Sequence, residues 1–311
     1  MIARCILALI LLLPASALAD SSALIISGVA GSPEHAERFK TWTDTTRKVL
    51  TEKLGFTSDR VFVLSDRGTA AAEIQKTFAT LKQQLKPLDT FFFFLIGHGS
   101  FDTDYKFNIF GRDLTAAEYN QFLSGLNVGR IVVVNATSAS GGAIETLAGK
   151  NRVIITATRS GSEGNETVFY EHFLDALQNA ASDEDKDQKT SVWEAFKYAS
   201  ASVERFYKEE GRLATEHAQI SDSGGAKTGA AIQAVPQLAR TTIIAVDRPV
   251  VVSDPRLQAL LNQKREIEQK IEALRLLKGA MPEADYERQM EDLLVDLATQ
   301  NQKVRAQEGQ K

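Results

Sequence analysis

Five short apolar runs mark the first half of the chain, at residues 23–28, 61–64, 91–96, 131–134 and 152–157. Each is too short for a buried helix and too evenly apolar to keep a wet face, so each is predicted to be a strand covered on both sides. Between the runs the spacing turns helical. Ser32 is placed to cap a helix with Pro33 in its first turn. Phe39, Trp42, Val49 and Leu50 follow one face of that helix, and Gly55 closes it. Thr69 is placed to cap a helix over 70–85 with Ile74, Phe78 and Leu81 as its stripe. Further helices are predicted over 114–123, 143–147, 165–180 and from about 194 to 208, with a short extra strand over 107–110. Residues 211–229 read as a polar, glycine-rich loop, and 241–246 as an edge strand or linker. Strand and helix alternate throughout, which predicts a parallel sheet covered by helices on both faces.

The pattern changes near Asp254 and Pro255, a capping residue and a first-turn proline. Leu257, Leu260, Lys264, Ile267, Ile271, Leu274 and Lys278 then step by three and four, as a coiled-coil seam does. Gly279 interrupts the spacing. After Pro282 it resumes through Tyr286, Met290, Leu293, Leu297 and Val304. This predicts a helical hairpin or coiled coil over 254–311, joined through a linker at 247–253 to an α/β domain over 20–246. The narrow seam is suited to packing on its own domain, to a homo-oligomer, or to a partner helix.

The first nineteen residues read as a signal peptide. Arg4 precedes an apolar core from Ile6 to Leu13, and Ala17-Leu18-Ala19 supplies small residues for cleavage before Asp20. The core is too short to span a bilayer. A periplasmic or secreted protein with no membrane span after cleavage is expected. The chain's one cysteine, Cys5, lies inside this leader. The mature chain therefore has neither a disulfide nor a thiol nucleophile. Cleavage removes Arg4 and moves the formal charge from −4 to −5, a mild acidity without the basic footprint of a nucleic-acid partner.

The candidate chemistry sits where two apolar runs end. The phenylalanine run closes on Gly97-His98-Gly99-Ser100. The valine run closes on Asn135-Ala136-Thr137-Ser138-Ala139-Ser140-Gly141. In open α/β sheets, ligand sites gather outside the carboxyl ends of strands. Adjacent strands would bring an imidazole and a cluster of hydroxyls to one edge.

From Ala23 to about Gly229 the chain resembles the legumain-like peptidases (family C13) and the wider caspase-fold group. The resemblance rests on His98-Gly99 after one apolar run and Ser140-Gly141 after the next, with Thr156-Ala157-Thr158, Glu163 and Glu166 following the next strand. It implies a caspase-like sandwich with a mainly parallel central sheet, His98 as base, and the Gly99 amide as an oxyanion donor. Counting back from Ser140-Gly141, the family's cysteine position falls on Ser138. Counting forward from Val134, it falls on Thr137. Either way sulfur has been replaced by a hydroxyl. The resemblance also suggests His35, Arg38 and Glu163 as substrate-binding residues.

A thiol with a pKa of about 8.5 is readily ionised by an imidazole, whereas a serine needs a base that is itself oriented. Asp102 and Asp104 follow His98 closely enough to be candidates for that orienting role. Three readings follow. The first is a degenerate peptidase that binds peptide or protein without cysteine-type proteolysis. The second is a serine-dependent hydrolase using Ser138 and His98. The third is a scaffold acting through its C-terminal helices. Separately, Asp183, Asp185, Asp187, Lys189, Ser191 and Glu194 have the ligand spacing of a twelve-residue Ca²⁺ loop, although Gln188 stands where such loops turn on glycine. The alternative for that stretch is an acidic helix start capped by Asp187 or Ser191.

Overall fold

The computed structural model describes residues 20–184, 186, 189–222, 237–246, 252, 254–276 and 281–308. The predicted leader, Asp185, Asp187, Gln188, residues 223–236 including the end of the glycine-rich loop, the predicted linker apart from Val252, Lys278 and Gly279 lie outside the described residues.

The apolar runs become β1 (Ser21–Ser27), β2 (Val61–Leu64), β3 (Thr90–Ile96), β7 (Arg130–Asn135) and β8 (Arg152–Thr156), all parallel, in the order β2-β1-β3-β7-β8. The short strand β9 (Gln219–Ser221) adds to β8 antiparallel, completing a six-stranded sheet. Successive side chains of one strand point to opposite faces, and both faces are covered. Phe92 and Phe94 join a core with helices α1 (Pro33–Lys48), α5 (Phe169–Ala176), α6 (Val192–Glu209) and α7 (Gln237–Thr241). Phe91 and Phe93 join the opposite core with α2 (Ala71–Gln84), α3 (Ala116–Ser124) and α4 (Ile144–Leu147). These four phenylalanines are fully buried, which is why the run shows no alternation. Truncating one to alanine would cost about 3–5 kcal/mol.

After β3 the chain leaves the main sheet and folds a small antiparallel one from β4 (Gly99–Phe101), β5 (Tyr105–Phe107) and β6 (Leu114–Thr115). The predicted strand at 107–110 is therefore displaced. Residues 108–110 turn instead, with the Ile109 amide donating to Asp113. Ser32 caps α1 as expected, accepting from the His35 amide. Thr69 does not cap α2. Its hydroxyl donates to the Asp66 carbonyl inside a tight turn and accepts from the Phe110 amide. The helix predicted over 165–180 is confined to Phe169–Ala176. Its first amides are taken by buried Glu216, and Asn179 caps the next turn. Residues 241–246 form neither predicted element: α7 ends at Thr241, and Ile243 makes one isolated bridge to Ser191.

The C-terminal helices α8 (Pro255–Leu276) and α9 (Glu283–Glu308) form an antiparallel hairpin. Asp254 caps α8. Gln300 donates to the Leu260 carbonyl, and Gln307 donates to Asp254, so the end of α9 lies beside the start of α8. Leu257, Ile271, Leu274 and Val304 are buried. Among the described residues no helix is long and apolar enough to cross a membrane.

Candidate functional site

The main sheet reverses its winding between β1 and β3, since β2 lies on one side of β1 and β3 on the other. Such a reversal opens a crevice at the carboxyl ends of the strands, and His98 sits there. Its Nε2 lies 3.0 Å from the Ala30 carbonyl oxygen, across the crevice. A carbonyl only accepts, so this nitrogen carries the proton and Nδ1 is left as the basic nitrogen of the neutral ring. A backbone carbonyl thus orients His98, in place of Asp102 or Asp104. Asp102 instead pairs with Lys106 on the small sheet.

β3 and β7 are neighbours, so Ser138 reaches the same edge. Its hydroxyl donates to the Gly99 carbonyl at 2.9 Å and accepts from the Gly99 amide at 3.2 Å. Thr137 is turned inward. Its hydroxyl bonds to Asn135 and the Ser138 carbonyl and meets Tyr105 at 2.7 Å, all fully buried. Of the two positions left open by counting, Ser138 is the one bonded to the histidine strand's end. Gly99 has no room for a side chain, because a Cβ there would lie 2.5 Å from the Ser138 carbonyl oxygen. Gly141 is equally constrained by the Ser160 amide. Between them, Ala139 holds a left-handed φ of 55°, a conformation that costs a residue with a side chain of order 1 kcal/mol. Its amide donates to the Glu163 carbonyl.

The predicted substrate-binding residues separate into two groups. His35 and Arg38, on the first turns of α1, both pair with Glu166, and the His35 ring stands edge-on to His98 with centroids 4.7 Å apart. Burial pushes the Glu166 carboxyl up, but Arg38 and His35 outweigh it and hold the group below the usual carboxylate range. Glu163 does not join them. It accepts from the Arg159 amide and pairs with His217 at 2.7 Å. Nothing in the sequence pairs His217 with Glu163, and Glu166 shows there only as a carboxylate after the strand. A carboxylate three residues from another offers no sign of which one will turn toward α1.

Phe101, on β4, lies over Gly142 and Gly161 and is 43% exposed. Val29 and Phe110 are similarly exposed, and the Val29 amide bonds to the carbonyl beside Phe107. Phe101 thus stands beside the turn that carries Ser138, Val29 follows β1, and Phe110 lies apart from both under the Arg67 guanidinium.

The described part of the acidic loop is held by a helix cap. Ser191 and Glu194 form a reciprocal cap at the start of α6, and the other Glu194 oxygen accepts from the Glu184 amide. The preceding helix α5 ends at Ala176, before Asp183. A bidentate Ca²⁺ ligand at Glu194 would have to exchange these hydrogen bonds for the ion. Lys189 is described, but Asp185 and Asp187 are not. Among the described residues no three His, Cys, Asp or Glu side chains gather as a metal site.

No family model and no curated protein matches the sequence. Solved structures do. A structural-genomics protein from Geobacter sulfurreducens aligns at a TM-score of 0.51 and 15% identity, covering 73% of this chain and 99% of that one. A caspase-1 from Spodoptera frugiperda aligns at 0.38 and 12%, covering 65% and 86%. At such identities the first likeness concerns the fold alone, and the second is too distant to carry weight.

Proposed function

We propose that this chain is an exported binding protein on a legumain-type, caspase-like peptidase scaffold, taking peptide or protein at the crevice without cleaving it. The observation that carries this reading is the pair of hydrogen bonds between Ser138 and Gly99. The hydroxyl proton goes to a carbonyl rather than to His98. The Gly99 amide, which an oxyanion would need, points at the hydroxyl. A cysteine-free mature chain supplies no alternative thiol. Phe101, exposed beside the turn that carries Ser138, and Val29, exposed after β1, are the apolar side chains this reading assigns to binding. The pairs among His35, Arg38 and Glu166 would supply polar selectivity.

A second reading, a serine-dependent hydrolase, draws on the oriented imidazole of His98. The two are separated by incubating the mature protein with a broad peptide library while measuring capture and turnover together. Capture without turnover, weakened by Phe101→Ala, is the expected result. Turnover lost in both Ser138→Ala and His98→Ala would replace the binding reading with the hydrolase.

A further inference from the structure

We infer that the outward face of α9 pairs with the same face of a second copy of this chain, antiparallel about a two-fold axis near Asp296. The proposal is independent of the crevice. Helix α9 turns Leu293, Leu297, Gln300 and Val304 toward α8. Each residue advances about 100° around the helix, which puts Glu287, Glu291, Leu294, Ala298, Gln302 and Arg305 on a separate stripe. All six are exposed. Leu294 is 48% and Val295 59% exposed, and with Tyr286, Met290 and Ala298 they line a shallow groove.

This stripe is acidic toward its start, apolar at its centre and basic toward its end. An antiparallel copy inverts that order. Leu294 then meets Ala298 of the partner subunit, whose small side chain allows close approach. Glu291 meets Gln302 of the partner subunit, and Glu287 meets Arg305 of the partner subunit. The two-fold axis makes each of these contacts twice, as an isologous interface requires. A parallel copy would stack Glu287 on Glu287 and Glu291 on Glu291, which like charge disfavours. Between Glu287 and Arg305 the stripe runs about 27 Å at 1.5 Å per residue. A contact of that length between two helices is small, so association is expected to be weak and salt-sensitive.

Sedimentation equilibrium of the full mature chain, from micromolar to near-millimolar concentration and at low and high salt, tests the proposal. A monomer–dimer equilibrium weakened by salt is expected. Leu294→Glu should weaken it at least about tenfold while leaving helix content unchanged by circular dichroism. Glu287→Arg and Arg305→Glu should each weaken it, and the double variant should restore it. Orientation is read by cross-linking, which a mature chain free of cysteine makes clean. Leu294→Cys and Ala298→Cys chains should form disulfides when mixed, and neither alone. A monomer at every concentration overturns the proposal. So does a dimer indifferent to Leu294→Glu, or a Leu294→Cys chain that cross-links by itself.

Discussion

Ser138 and Gly99 satisfy each other completely: the hydroxyl donates to the carbonyl and accepts from the amide of one residue. Both backbone groups lie at a half-buried strand end, so they depend on that side chain. Ser138→Ala is expected to destabilise the fold by about 1–3 kcal/mol, the cost of leaving such groups unpaired. Urea denaturation measures it. A change indistinguishable from zero would mean that water replaces the hydroxyl without loss.

Ser138→Cys tests how strongly the His98 imidazole acts on a group at that position. His98 keeps its orientation from Ala30, and a thiol accepts hydrogen bonds from Gly99 more weakly than a hydroxyl does. The new thiol is expected to ionise below the ordinary value of about 8.5, with His98→Ala returning it there. The pH dependence of alkylation, mapped to the peptide, reads this directly, since residues 20–311 contain no other thiol. An ordinary midpoint with His98 intact would show that the imidazole is out of reach.

Glu163 and Glu216 are expected to give stability profiles of opposite slope. Burial raises Glu163, but the Arg159 amide and His217 outweigh it and lower the group overall. Its contribution is present above the ordinary carboxylate range and is lost as pH falls through the lowered native value. Burial raises Glu216, and the amides of Val168 and Phe169 offset this only in part. The native state binds that proton more firmly than the unfolded chain, so its contribution is full below the unfolded value of about 4.3 and is lost as pH rises through the raised one. Denaturation of wild type against Glu163→Gln and Glu216→Gln across this range checks both. Parallel profiles would contradict the assignment.

Calcium is expected to leave the melting temperature unchanged, because Glu194 is committed to the Ser191 cap and to Glu184. Glu194→Ala is expected to lower it with or without the ion, by the roughly 1 kcal/mol a cap is worth. A calcium-dependent rise that Asp183→Ala abolishes would instead establish the loop as a site.

What the sequence discloses here follows from the range of the forces involved. The phenylalanine and valine runs are legible because burial on both faces leaves no other composition. Asp254 and Ser32 are legible as caps because capping acts over three residues. Thr69 has the same chemistry but turns back to Asp66, whose left-handed φ of 48° no local pattern announces. Strand β9 is three residues paired to β8 from more than sixty positions away, and its polar, glycine-rich surroundings hide it. At the site, the order of motifs places Ser138 near His98. The direction of its proton depends on the Gly99 carbonyl, which only the folded chain brings alongside. The same holds for Glu166, chosen over Glu163 by the position of α1.

Labelling by a fluorophosphonate, which marks a serine only when its hydroxyl is activated as a nucleophile, bears most directly on the claim that the Ser138 proton is diverted from His98. With the mature protein digested and mapped by mass spectrometry, Ser138 is expected to remain unmodified at concentrations and times that label a serine hydrolase fully. Stoichiometric modification of Ser138, abolished by His98→Ala, would contradict it.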